Sequence, residues 1–285
     1  MRYPDFILAG AHKCGTTSLL DTLGKHPEIG ISRNKEPHYF CFEKMRHNKT
    51  DVVGELKEYL NLFPEREKIV GEASVFYLYY HEIVIKSLLD EVGKNVKIII
   101  CLRDPVARAY SAYLDVAGKN ELENETFETG LALETERKNL DYIPPSMHYV
   151  SVGMYSRMVK AYLEAFTNVH IVNFEDLHKN PEMVLEELQS FLEVEFVPLV
   201  MGKKNQGGRE WRYKSLGALA KGVFPRRTRG YLRKMSPGLY GMATGFANGF
   251  LKNTAHGANV DTLDALLAVF QEDREELFKL TGVRI

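Results

Sequence analysis

The sequence predicts an α/β fold: one domain over residues 1–285, with a mostly parallel central sheet flanked by helices. Three observations predict it. Short apolar runs rich in β-branched residues alternate with segments of helical length, the pattern of strand–helix–strand units. The 285 residues are 45% hydrophobic, enough for a substantial core. Two motifs that suit a ligand each begin where an apolar run ends, and open parallel sheets bind ligands beyond the carboxyl ends of their strands.

Taken in order, DFILAG (5–10) reads as a buried strand and KIVGEAS (68–74) as a weaker one. NVKIIICLR (95–103) has the strongest strand signal, and NVHIVNF (168–174) is a fourth. Helical periodicity falls between them at 16–25, 51–63, 81–92, 105–118, 155–166 and 180–192, and again at 261–282. Residues 200–258 break the pattern, being rich in Gly, Lys and Arg. They are expected to form an irregular or short-helical excursion, a lid or acceptor-side segment, before the last helix packs back.

The formal net charge of −1 points away from nucleic acid as a partner. Three cysteines, Cys14, Cys41 and Cys101, at no metal-like spacing, fit a reducing compartment rather than a disulfide framework. The N-terminal run FILAGA (6–11) is too short for a signal sequence or a span, so the chain is expected to be soluble and cytoplasmic. The basic run at 225–234 could attach the protein to an anionic lipid surface or an acidic acceptor, although a solvated surface segment explains it as well.

The stretch GAHKCGTTSL (10–19) follows a strand and opens a helix. Such a turn aims backbone N–H groups and the positive end of a helix dipole at one point, which suits a phosphate-like anion. A nucleoside-triphosphate loop carries its lysine directly after the second glycine, where it reaches the β/γ-phosphates beside Mg²⁺. Here Thr16 follows Gly15, and the lysine is Lys13, inside the loop. The pattern suggests an anion handled without a metal.

This stretch resembles the phosphosulfate loop of the sulfotransferases that use 3′-phosphoadenosine 5′-phosphosulfate (PAPS). The match extends to bacterial members and to the heparan sulfate, Golgi-type branch. The resemblance implies a P-loop-like sulfotransferase fold, PAPS as donor co-substrate, PAP as product and no metal. It places Lys13 on the leaving phosphate oxygen, and Cys14, Gly15, Thr16, Thr17 and Ser18 around the 5′-phosphosulfate. His12 stands where many relatives carry proline. In IIICLRDPVARAYSAYLD (98–115), Asp104 suits an N-cap and Pro105 a first helical position. There the resemblance places Arg103 and Ser111 on the 3′-phosphate.

SRNKEPHYFCF (32–42) resembles the segment that supplies the general base in this family. Glu36 is the expected base and His38 its rival, since another branch of the superfamily uses a histidine. VGEASVFYLYY (70–80) also matches, which places Glu72 and Ser74 at the border of the acceptor pocket. Tyr155 is a candidate for reaching the nucleotide, and Tyr39, Phe40, Phe76 and Tyr77 are candidate pocket aromatics or core. KKNQGGREWR (203–212) resembles the late loop that closes over PAPS, with Lys203, Asn205 and Arg209 as phosphate donors. The expected reaction is sulfuryl transfer to a hydroxyl of a carbohydrate, lipid or other small metabolite. A P-loop kinase-like phosphotransferase and a non-catalytic PAP(S)-binding module are the alternatives.

Overall fold

The apolar runs become parallel strands because the chain buries them on both faces. β1 (Phe6–Gly10) is buried at every position, and β4 (Lys97–Leu102) at every position but its first. That is the signature of central strands in a sheet covered on both sides. A computed structural model describes residues 1–48, 51–120, 122–140, 142–202, 209–211, 252–254 and 258–285.

From β1 the chain runs through α1 (Thr16–Leu23), β2 (Ile29–Ile31), α2 (Phe42–Met45), α3 (Leu56–Leu60), β3 (Ile69–Ala73) and α4 (His81–Glu91) to β4. It continues through α5 (Pro105–Asp115), α6 (Phe127–Ala132), α7 (Glu134–Arg137), α8 (Tyr155–Ala165), β5 (Val169–Asn173), α9 (Phe174–Lys179) and α10 (Pro181–Leu192). β6 (Arg209–Trp211), β7 (Lys252–Thr254) and α11 (Val260–Thr281) close it. Five strands form one sheet in the order β2-β3-β1-β4-β5, every neighbouring pair parallel. Phe6 fixes the central register, opposite Gly71 on one side and Lys97 on the other.

All four strands read from the sequence are present, and β2 is an addition. Ile-Gly-Ile is too short to carry a periodic signal, and its pairing with β3 makes it a strand. The helix expected over 51–63 is confined to Leu56–Leu60, because Glu55 is still extended (φ −100°, ψ 128°). The helix after Pro105 is regular to Asp115 and then widens into a π turn over Val116–Asn120.

Residues 122–153 build a smaller core against α5. Arg137 clamps buried Glu123 with two hydrogen bonds of 2.6 and 2.9 Å, and Tyr149 Oη adds a third at 2.8 Å. Arg108 is 1% exposed and donates to the Tyr149 carbonyl, so it is a core residue of this unit. Within 200–258, β6 and β7 pair antiparallel, Arg209 opposite Thr254. Lys203, Asn205 and the basic run 225–234 lie outside the described residues. Among the described residues no helix is long and apolar enough to cross a membrane.

The last helix packs back as expected, and a carboxylate locks it in place. α8 has no side-chain cap of its own at its N-terminus. Asp273 of α11 supplies one, accepting from Tyr155 N–H (2.8 Å), Ser156 N–H (3.0 Å) and Ser156 Oγ (2.6 Å). It joins two distant elements while satisfying buried donors at a positive helix end. Asp273→Ala is therefore expected to lower unfolding free energy by about 2–4 kcal/mol, because it strands those donors. Asp273→Asn, which keeps one acceptor oxygen, should lose less. Urea unfolding of the two variants checks the ranking, and equal stability of Asp273→Ala and the parent would remove the capping role.

Candidate active site

The strand order fixes where a ligand can sit. From β1 the chain leaves toward β2, and from β4 it leaves toward β5, so the connections run in opposite directions from these two neighbours. A crevice opens at the carboxyl ends of strands that diverge in this way. The loop after β1 and the residues after β4 both reach it. The cleft is lined by His12, Lys13, Gly15, Thr16, Thr17 and Ser18, by Lys35, Glu36 and Val75, and by Arg103, Ser111, Asp115, Phe174 and His178.

The first loop turns on two glycines. Gly10 has φ 138°, and a side chain there would meet the Val75 carbonyl at 2.5 Å. Gly15 has φ 78° and packs under the Phe174 ring, which a Cβ would approach to 3.1 Å. Lys13 is also left-handed, at φ 70°, a backbone state costly for a residue with a side chain. The first helical bond of α1 runs from Leu19 N–H to the Gly15 carbonyl at 3.1 Å. The N–H groups of Thr16, Thr17 and Ser18 therefore precede the ladder, at the end of the helix that faces the cleft. Lys13 Nζ lies 3.3 Å from Asp115 Oδ1. Burial pushes the pKa of His12 down to about 3, so this residue brings a neutral imidazole to the loop. Its ring centroid is 5.0 Å from that of Phe76, and its Nδ1 is buried without a hydrogen bond among the described residues.

On the β4 side, Arg103 is held by its flat face. Its guanidinium carbon lies 4.6 Å from the Phe174 ring centroid, and Nη1 donates to the Lys13 carbonyl at 3.4 Å. Its Nε is buried and makes no hydrogen bond among the described residues. An arginine held on an aromatic face, with donors to spare, is arranged to take a multivalent anion. Asp104 caps α5 through Ala107 N–H at 2.7 Å, which sets the direction of the helix that carries Ser111. An unbonded Nε donor on Arg103, a helix N-terminus and two flanking lysines fit a ligand with two separated anionic groups.

Across the cleft, Glu36 lies between two basic side chains. Lys35 Nζ is 3.1 Å from its Oε1, and His38 Nε2 is 3.4 Å from its Oε2. Lys35 also donates to Thr17 Oγ1 at 2.6 Å, tying this segment to the first loop. His38 has no exposed surface and stands behind Glu36. A second carboxylate lies deeper. Glu72 is fully buried and accepts from Ser74 Oγ (2.6 Å), Tyr77 Oη (2.8 Å) and Tyr59 Oη (3.2 Å). Ser74 Oγ in turn accepts the His38 N–H at 3.0 Å. Burial pushes the pKa of Glu72 up to about 7 against the pull of those three donors.

The structure brings Lys13, Gly15, Thr16, Thr17, Ser18, Glu36, Arg103 and Ser111 to one cleft. It does not bring Cys14 there. Between two left-handed residues, Cys14 turns into the core, where Sγ lies 3.7 Å from Tyr155 Oη and its N–H bonds the Ala11 carbonyl. Tyr155 is likewise buried against Cys14 and does not line the described cleft. Glu72 and Ser74 are fully buried and do not line the described cleft, and Phe40, Phe76 and Tyr77 are core, while Tyr39 stacks on Tyr59 at 4.4 Å. Arg209 lies in β6. The cleft adds Asp115, Phe174 and His178, which the sequence reading did not single out. Asp115 follows Ser111 by four residues, one helical turn, and that spacing was the available signal.

Comparison with known proteins agrees with this geometry. A family model described as a sulfotransferase domain matches residues 3–206. Carbohydrate sulfotransferase 15 of Homo sapiens is 27% identical, over 66% of this chain and 43% of its own length. Heparan sulfate glucosamine 3-O-sulfotransferase 3B1 of Mus musculus is 28% identical, over 66% of this chain and 46% of its own. The chain thus spans under half the length of these curated relatives. A sulfotransferase structure from Alicyclobacillus acidocaldarius superposes with a TM-score of 0.74 at 28% identity, covering 100% of this chain and 98% of that one.

The buried Glu72 has a measurable consequence. Its folded pKa of about 7 lies above the ordinary carboxylate value, so the folded state binds this proton more tightly than the unfolded chain does. Its contribution is present below about pH 4.5 and is lost as pH rises toward 7, by roughly 3 kcal/mol in all. Glu72→Gln should flatten that part of the profile. Urea unfolding at pH 5 and pH 8 is expected to show the parent losing about 2–3 kcal/mol more than the variant across the interval. Parallel losses would mean that Glu72 does not titrate there.

Proposed function

Because this chain belongs to the sulfotransferase family, we propose that it transfers the sulfuryl group of PAPS to an acceptor hydroxyl, in line and without a metal, releasing PAP. The observation that carries the reading is the single cleft in which Lys13, the α1 N-terminus, Arg103 and Ser111 face Glu36. Two anion subsites lie on the β1 and β4 loops, and the only acceptor-side carboxylate in the described lining is Glu36.

Each residue then has a role that its position allows. Arg103 and Ser111 hold the 3′-phosphate, the guanidinium giving directed donors and the hydroxyl a further one. The N–H groups of Thr16, Thr17 and Ser18, with their hydroxyls, hold the 5′-phosphosulfate. The acceptor oxygen attacks sulfur as the bond from sulfur to the bridging phosphate oxygen breaks. Lys13 meets the negative charge that grows on that oxygen. Glu36 takes the acceptor's proton, with His38 fixing its orientation from behind and Lys35 offsetting its charge beside the donor's anions. His38, fully buried behind Glu36, is read as a positioning residue, which favours Glu36 as the base. The acceptor is read as a carbohydrate hydroxyl, supported by relatives named for carbohydrate and glucosamine sulfation.

Titration calorimetry with PAP, in the absence of Mg²⁺, tests the donor. The parent protein is expected to bind PAP, and Arg103→Ala to bind it at least about tenfold more weakly. Binding of Mg²⁺-ATP in place of PAP would transfer the reading to a phosphotransferase. Turnover with labelled PAPS and a panel of glycans tests the chemistry. Lys13→Ala should lower kcat by about 10²–10³, and Glu36→Gln by about 10²–10⁴ with little change in PAP affinity. A Glu36→Gln enzyme with parental kcat would remove the glutamate from the reaction.

A further inference from the structure

We propose that Asp115 is a placeholder for the donor: its carboxylate holds the Lys13 ammonium until PAPS arrives, and it competes with PAPS and PAP for that ammonium. The inference rests on the donor reading above and deepens it, naming a residue that sets donor and product affinity.

Three observations carry it. Asp115 lines the same cleft as Lys13, Arg103 and Ser111, with Oδ1 at 3.3 Å from Lys13 Nζ. Both side chains are under a fifth exposed (18% and 17%), so water screens the pair less than it would at the surface. Second, Asp115 stands where the regular turns of α5 pass into the π turn over Val116–Asn120, one helical turn beyond Ser111 and on the same side of the helix, so its carboxylate shares the cleft with the anion-binding groups. Third, a carboxylate among phosphate-binding groups repels the ligand those groups attract. Glu36 has a chemical use in the cleft and its own basic partners, Lys35 and His38. Asp115 instead faces the lysine of the donor loop.

The geometry makes the two anions alternatives. A phosphate or sulfuryl oxygen in contact with Lys13 Nζ would come within a few ångströms of Asp115 Oδ1. Donor binding therefore exchanges one anion for the other on the same ammonium, and departure of PAP reverses the exchange. Asp115 lowers the affinity for both nucleotides, and it keeps Lys13 placed in the donor-free enzyme.

The test is PAP affinity by calorimetry in the parent protein, Asp115→Asn and Asp115→Ser, at low and at high salt, with urea unfolding of each. Both variants are expected to bind PAP about three- to tenfold more tightly than the parent at low salt. The gain should shrink at high salt, where the lost repulsion is screened. A merely structural Asp115 would not raise affinity. Parental or weaker PAP affinity in both variants, with the parent still binding PAP, overturns the placeholder alone. Loss of cooperative unfolding in both variants overturns it too, since Asp115 would then serve the fold. No PAP binding by the parent or by either variant overturns the placeholder together with the donor reading.

Discussion

Three cations meet at one helix N-terminus, and their mutual repulsion is the constraint around which the cleft is organised. Lys13, Lys35 and Arg103 all line a crevice that already faces the positive end of α1. Each arrives with a different compensation. Lys13 is set against Asp115, and Lys35 against Glu36 and the Thr17 hydroxyl. Arg103 has no acidic partner among the described residues and instead lies flat on Phe174 while reaching the Lys13 carbonyl. The scaffold serves this arrangement. β1 and β4 must be neighbours to bring the two loops together, and Gly15 must lack a side chain for Phe174 to pack there.

Much of this was legible in the sequence, for identifiable reasons. Central strands of a parallel sheet are long and continuously apolar, so β1 and β4 were plain. The loop after β1 was plain because glycines and hydroxyls at that spacing have few other uses. What escaped depended on contacts between distant segments. Asp115 reads as an ordinary acid on a helix until the β1 loop sets Lys13 against it. Phe174 ends a run that reads as a strand, and its face is used by Arg103 from the end of another strand. Spacing placed Cys14 in the loop correctly but could not say which way it pointed. The left-handed turns at Lys13 and Gly15 direct it into the core.

The two carboxylates on the acceptor side show how the fold separates similar groups by depth. Glu36 and Glu72 are linked through His38 and Ser74, so the end of β3 controls the backbone from which Glu36 reaches the cleft. His38 is itself left-handed, at φ 50°, a conformation that the Ser74 contact helps to hold. Had Glu72 stood at the surface of the cleft, it would have added a full negative charge to a crevice lined by cations. Buried, with a pKa near 7, it is only partly ionised at neutral pH, and three hydroxyls surround the charge it does carry. The same residue type thus lines the cleft in one place and forms an interior hydrogen-bond hub in the other. Burial sets the difference, and it lets the cleft keep a rigid acidic support close behind Glu36.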